Sequence, residues 1–201
     1  EWGVDRAMAR APRKGRRAII VGIPNMGVDR MKEYSPWPDP RHGGGGGDAY
    51  VDFVLDTLKP MIDHDFRTQP GREHTGIFGS SMGGLISLYA IFRYPATFGM
   101  AGVMSPALWF ARRAIFEVVE RAAELPGKIY LDVGTGEGAS TLADVRRMQK
   151  LLRQRAHRTP HRLCYVEEAG AGHCEAAWAG RLRGALRFLL HDICRQTVTP
   201  T

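Results

Sequence analysis

The chain has 201 residues, 44% of them hydrophobic, which is enough apolar side chain for one core and too little for two ordinary domains. Its formal charge is +7, but the basic residues are scattered instead of forming blocks, so no nucleic-acid partner is expected; Arg112, Arg113, Arg146, Arg147, Arg153, Arg155 and Arg158 read as solvated helix faces. Three cysteines, Cys164, Cys174 and Cys194, are sparse and odd in number, which argues against a disulfide framework and for a reducing, cytoplasmic compartment, and no run of about eighteen apolar residues is present to span a membrane.

In chain order, residues 1–11 predict a short helix, and Ala18-Ile19-Ile20-Val21-Gly22-Ile23 predicts a buried strand ended by Pro24 and Asn25. Residues 26–47, with Pro36, Pro38, Pro40 and five consecutive glycines, predict a long loop with a mobile polyglycine stretch. Asp48 reads as the N-cap of a helix whose apolar face runs through Tyr50, Phe53, Val54, Leu58 and Met61. From His74 onward, strands are expected at 75–79, 100–104, 128–133 and 162–167, and helices at 82–94, 108–125, 143–157 and 174–192. This alternation predicts an α/β fold, a mostly parallel sheet with helices on both faces, as one domain over residues 1–201. The start at Glu1, without methionine, reads as a fragment or a processed chain that lacks the N-terminal strands.

The most informative string is Gly79-Ser80-Ser81-Met82-Gly83, a G-x-S-x-G pattern between an apolar strand and an apolar helix. The glycines leave room for a sharp strand-to-helix turn that lifts the Ser81 hydroxyl above the sheet edge. The helix beginning at Met82 aims its free N–H groups there, so Met82 N–H is a candidate oxyanion donor. The bland alternative is a glycine-rich packing turn with Ser81 as a helix cap.

A serine nucleophile needs a base, and the base an orienting acid. In the order serine, acid, histidine, the candidates for base are His157, His161, His173 and His191. His157 and His161 lie in a polar connection and His191 ends an amphipathic helix. His173 follows a strand through Ala169-Gly170-Ala171-Gly172, at the edge where open α/β sheets meet their ligands, and is the preferred base. For the acid, Glu137 in the Gly134-Thr135-Gly136-Glu137-Gly138 loop is preferred over Asp132 inside a strand and Asp144 in a first helical turn.

With these residues placed, the chain resembles, over nearly its whole length, the esterase family of α/β hydrolases that includes enterochelin esterases, esterase D, feruloyl esterases and mycolyltransferases. The resemblance rests on residues 19–23, Arg30-Met31-Lys32-Glu33-Tyr34-Ser35-Pro36, residues 79–84, Ser105-Pro106-Ala107-Leu108-Trp109-Phe110, and Asp132-Val133-Gly134-Thr135 leading to Glu137. It implies the α/β-hydrolase fold, a triad of Ser81, Glu137 and His173, a small-molecule ester substrate, and neither metal nor organic cofactor. It also implies a second oxyanion donor from an Asp-Gly-containing segment upstream of Glu1. Asn25, Arg30, Tyr34 and Trp109 are candidate substrate contacts; Arg30 and Glu33 could instead pair with each other, and Trp109 could pack as a core aromatic. Two alternatives to hydrolysis remain at this level, acyl transfer on the same triad and an inactive binding module that keeps the fold.

Overall fold

Parallel pairing organises the molecule. In the computed structural model, which describes residues 2–9 and 17–194, four strands form one sheet: β3 (Gly76–Ser80), β4 (Met100–Met104), β5 (Lys128–Gly134) and β6 (Leu163–Glu168). They lie side by side in chain order, every neighbouring pair parallel, with Ile77 opposite Ala101, Ala101 opposite Ile129 and Ile129 opposite Leu163. Parallel neighbours require helical crossovers. These are α5 (Met82–Arg93), the short α6 (Phe110–Arg113) and α7 (Ile115–Arg121), and α8 (Ala139–Arg155); α9 (Glu175–His191) follows β6. All four strands therefore end at one edge, where residues 81, 105, 135–137 and 169–173 leave the sheet.

Side-chain alternation sorts the strands onto two cores. Ile77, Ala101, Val103, Ile129, Leu131, Val133 and Leu163 join the side chains of α5, α7 and α8 on one face. Phe78, Met100, Met104, Tyr130 and Cys164 face the opposite way, toward Trp178, Ala185, Phe188 and Leu189 of α9. Helices thus cover both faces. The helix α1 (Val4–Ala9) is the described part of the one expected over 1–11, and residues 1, 10 and 11 lie outside the described residues. Beside it, Trp2 packs edge-on against Phe78 and contacts Trp178.

Several expectations need correction. Residues 18–23 form no strand: Ile19, Ile20 and Val21 are 48%, 48% and 40% exposed, and Ile23 alone of the run packs against the core. An extended segment becomes a strand only beside a partner backbone, and among the described residues none pairs with it. The 26–47 segment is also more ordered than expected, with α2 (Arg30–Glu33) and a two-residue hairpin of β1 (Pro38–Asp39) and β2 (Gly43–Gly44). Its polyglycine run is clamped, since Gly45 and Gly47 N–H both donate to the Ser35 carbonyl and Gly46 N–H to Lys32. A Cβ on Gly47 would lie 2.5 Å from Pro36 N, so close backbone packing explains the glycine.

Gly46, not Asp48, occupies the N-cap of α3 (Gly47–Phe53), and the Asp48 carboxylate instead accepts the Tyr89 hydroxyl at 2.5 Å. The helix continues through a π-helical stretch, Val54–Leu58, into α4 (Lys59–Asp65). Pro60 accounts for the wide turn, because it lacks an N–H and its ring crowds the carbonyl four residues back. The single helix expected over 108–125 is broken as well: Ala111, Arg112 and Arg113 have left-handed φ values of 46°, 56° and 66°.

The cysteine reading is overturned by a disulfide between Cys164 and Cys194, with Cys174 left free and exposed. Cys164 sits on the β6 face toward α9, and the chain leaving α9 returns alongside it, a proximity invisible in a spacing of 30 residues. The expected reducing compartment rested on unpaired cysteines and loses that support. No helix among the described residues is long and apolar enough to cross a membrane. A disulfide closing a loop of this size contributes about 2–4 kcal/mol. Dithiothreitol is therefore expected to lower the Tm by several degrees in calorimetry, whereas equal Tm values with and without reductant would contradict the bond.

Candidate active site

Ser81 joins β3 to α5 with φ 54° and ψ −120°, a strained conformation for a residue bearing a Cβ. It is held from both sides: Ser81 N–H donates to the Met104 carbonyl at 3.0 Å, and the Ser81 carbonyl accepts from Ala107 N–H at 3.0 Å. Two glycines permit the approach. A Cβ on Gly79 would lie 2.5 Å from the Gly83 carbonyl, and one on Gly84 would lie 3.0 Å from the Met104 oxygen. Gly83 has nothing within 4 Å of its own would-be Cβ, so its part is the backbone that Gly79 faces. Met82 opens α5 and its N–H has no acceptor within the helix, which leaves it at the positive end of the helix dipole.

His173 Nε2 lies 3.0 Å from Ser81 Oγ, and His173 Nδ1 lies 2.8 Å from Glu137 Oε2. A carboxylate only accepts, so Nδ1 carries the hydrogen and Nε2 is free to accept the Ser81 proton. The Glu137 side chain is fully buried, while the His173 side chain is 41% exposed. His173 thus meets solvent from a dry anchor.

Backbone contacts between two loops set that spacing. Thr135 N–H donates to Glu168, Gly136 N–H to Ala171 and Gly170 N–H to Thr135 Oγ1, at 2.9, 2.9 and 2.8 Å. A Cβ on Gly134 would fall 2.2 Å from the Ala171 carbonyl oxygen, so the acid-bearing loop reaches the histidine-bearing loop only with glycine there.

Burial pushes the Glu137 carboxyl up, but hydrogen bonds from His173, Ser105 and Gly134 outweigh it and hold the group below the ordinary range. Ser105 Oγ reaches Glu137 Oε1 at 2.5 Å, and Gly134 N–H reaches the same oxygen at 2.7 Å. Asp132 lies elsewhere. It is buried, accepts Arg181 Nε at 3.0 Å and Ser105 N–H at 3.1 Å, and burial carries its carboxyl up to about 6 despite Arg181. Asp144 pairs with Arg113 at 2.7 Å. Among the described residues, neither of these aspartates hydrogen-bonds His173.

The four expected substrate contacts are placed unevenly. Asn25 Oδ1 accepts Gly27 N–H at 2.8 Å, a local turn contact. Tyr34 stacks edge-on against Tyr50 at 5.2 Å, and burial pushes its hydroxyl up. Arg30 is exposed, and Glu33 accepts Met26 N–H at 3.0 Å. Trp109 is 42% exposed, edge-on to His42 at 5.2 Å. Among the described residues, no hydrogen bond joins any of the four to the Ser81–His173–Glu137 chain, and no group of three or more His, Cys, Asp or Glu side chains has a metal-binding arrangement.

A profile of the family described as "Putative esterase" matches residues 1–189. The chain belongs to this family. It is 29% identical over 186 residues to the uncharacterized protein YbbA of Bacillus subtilis, an alignment covering 85% of this chain and 72% of YbbA. It is 30% identical over 87 residues to the siderophore enterobactin esterase of Emericella nidulans, covering 43% of this chain and 28% of that enzyme. The crystal structure of BES protein from Bacillus cereus superposes with a TM-score of 0.68 at 22% identity, covering 81% of this chain and 64% of that one. The fold is that of the α/β hydrolases. This chain therefore spans well under two thirds of the Emericella enzyme, and slightly under two thirds of the Bacillus cereus protein.

Behind Glu137, Ser105 Oγ also meets Trp178 Nε1 and Arg181 Nη2, and none of these three residues is among the candidate site residues read from the sequence. One signal was available: Trp178, Arg181, Leu182, Ala185 and Leu189 follow helical spacing, which puts an arginine on the buried stripe of α9. The glycine contacts generate a test. Gly134→Ala is expected to lower the Tm by several degrees by driving the two loops apart, while Gly83→Ala, with open space for its methyl group, leaves the Tm unchanged or higher. Equal Tm values for Gly134→Ala and the parent, measured by calorimetry, would count against the close approach.

Proposed function

We propose that this chain hydrolyses a carboxylic ester through an acyl-enzyme on Ser81, with His173 as general base and acid and Glu137 as its orienting carboxylate. The observation that carries the reading is the continuous hydrogen-bonded path from Ser81 Oγ through His173 to the buried Glu137. Membership of an esterase family supports the same reaction class.

His173 Nε2 takes the Ser81 proton as Oγ attacks the ester carbonyl. The tetrahedral intermediate's negative oxygen forms beside Met82 N–H, at the start of α5, where the helix dipole opposes the developing charge. Collapse expels the alcohol, which receives the proton from the His173 imidazolium. Water then enters by the same route: His173 accepts its proton, hydroxide adds to the acyl carbon, and Ser81 departs reprotonated. Glu137 stays ionised throughout and stabilises the charged imidazole.

Trp109 extends the turn that grips the Ser81 backbone through Ala107, and its exposed ring supplies an apolar wall for the acyl group. Arg30 is one of the exposed cations of the 26–47 segment, with Lys32 and Arg41, and is the candidate to meet an anionic substituent. A siderophore ester is the substrate class to test first, because the relative from Emericella nidulans is named for that activity.

Stopped-flow measurement with a p-nitrophenyl ester is expected to show turnover that Ser81→Ala or His173→Ala reduces by about 10⁴-fold or more. A fluorophosphonate probe should label the parent protein and not the Ser81→Ala variant. Equal turnover in parent and Ser81→Ala would overturn the assignment.

A further inference from the structure

Behind Glu137 lies a second polar cluster, buried, which the proposed chemistry does not use directly. Ser105 follows β4 with a φ of 40°, a left-handed value for a side-chain-bearing residue, and is wholly excluded from solvent. Its backbone is fixed there, since Ser105 N–H lies 3.0 Å from the Asp132 carbonyl and 3.1 Å from Asp132 Oδ1. Its hydroxyl meets three partners. Trp178 Nε1 is 3.1 Å from Ser105 Oγ, Arg181 Nη2 is 2.7 Å away, and Glu137 Oε1 is 2.5 Å away.

The donor inventory leaves one arrangement. Indole and guanidinium nitrogens only donate, so Trp178 and Arg181 occupy the two lone pairs of Ser105 Oγ. The single hydroxyl hydrogen is thereby directed at Glu137 Oε1. A free serine hydroxyl rotates among partners; this one is committed. Arg181 is in turn locked by Asp132, which accepts its Nε at 3.0 Å, and both side chains are buried. Trp178 also meets the base, its ring standing edge-on to His173 with centroids 5.0 Å apart and planes at 86°.

We propose that Ser105 is a positioning residue for the Glu137 carboxylate, made an obligate donor by Trp178 and Arg181, and that this relay sets the pH range over which the His173–Glu137 pair operates. The proposal rests on the Ser81–His173–Glu137 reading. Ser105 acts on Glu137 alone: it turns Oε2 toward His173 Nδ1 and stabilises the ionised form. A buried salt bridge with an arginine nitrogen left over is weak evidence of a stabilising role, and Arg181 Nη1 has no hydrogen-bond partner among the described residues. The cluster is better explained by orientation.

The charged and titratable groups facing Glu137 fix the sign of the effect. They are His173 from the loop after β6, Arg181 from α9 and, beyond Arg181, Asp132 from β5. Removing the Ser105 donor makes the Glu137 carboxylate a stronger base, so proton uptake by the pair begins at higher pH. Activity on the acid side is then lost earlier as pH falls.

The test is the pH profile of kcat/KM on a p-nitrophenyl ester, with active sites counted by fluorophosphonate titration. Ser105→Ala is expected to move the acid limb toward higher pH and to lower kcat by about 10- to 100-fold with KM within about two-fold, the scale of a lost oriented hydrogen bond to a charged group. Trp178→Phe keeps a ring against His173 and removes the N–H that commits the hydroxyl; it should shift the limb the same way by a smaller amount, and it carries the test if Ser105→Ala does not fold. An acid limb and kcat unchanged per titrated site in the folded variants would overturn the relay. Failure of the underlying triad reads differently, as a parent protein that neither labels nor turns over ester at Ser81.

Discussion

A carboxylate wholly withdrawn from water and still ionised is the constraint on which the rest of this site depends. An unpaired buried charge costs several kcal/mol, so Glu137 must be met by donors on every side. Those donors come from separate parts of the chain: His173 from the loop after β6, Ser105 from the turn after β4, and Gly134 from the end of β5. Satisfying one anion therefore ties three strand ends together. The turn carrying Ser105 also holds the Ser81 backbone, through Met104 and Ala107, so Ser81 is referenced to the same fixed point as Glu137.

The sheet makes this convergence possible before any polar contact forms. With four parallel strands in chain order, every carboxyl end lies on one edge, and residues some 90 positions apart, Ser81 and His173, become neighbours. Glycine then sets the final ångströms. At 79, 84 and 134 a methyl group would strike backbone atoms of a facing loop or helix, which cannot yield as a side-chain tip can. The open space at Gly83 shows that position in a motif and steric need are separate matters.

What the sequence made legible follows from the range of the forces involved. Strands β3 to β6 were placed within about two residues because apolar runs bounded by glycine and polar residues are local patterns. That Ser81, Glu137 and His173 meet at one sheet edge was readable because an elbow motif and a strand-end position are also local. Residues 18–23 carry the same apolar pattern yet form no strand, since pairing depends on a partner that local pattern does not reveal. The Cys164–Cys194 bond, the clamped polyglycine and the left-handed run at 111–113 were hidden for the same reason: each depends on what lies opposite in space. Arg181 is the intermediate case. Its place on the apolar stripe of α9 was visible, but its partner Asp132 was not.

The scattered arginines take a different meaning once their partners are known. Arg146 grips Glu167 with two nitrogens, at 2.9 and 2.7 Å, and Glu167 also accepts the Tyr165 hydroxyl, which binds α8 to β6. Arg113 pairs with Asp144 of α8, and Arg147 lies 4.3 Å over the Phe116 ring of α7. The Arg113 pair sits at the end of three consecutive left-handed residues, each of which costs on the order of 1 kcal/mol or more and persists only when surrounding structure over-determines it. Phe110, buried at the start of that turn, and Arg113, ion-paired at its end, supply the two anchors. Between β4 and α7 the chain is thus held at both ends of its most strained stretch, and Trp109 is presented to solvent from a braced turn. A rigid mount of that kind is what the acyl wall proposed for Trp109 would require, because an aromatic surface held in place loses little entropy when a ligand packs against it.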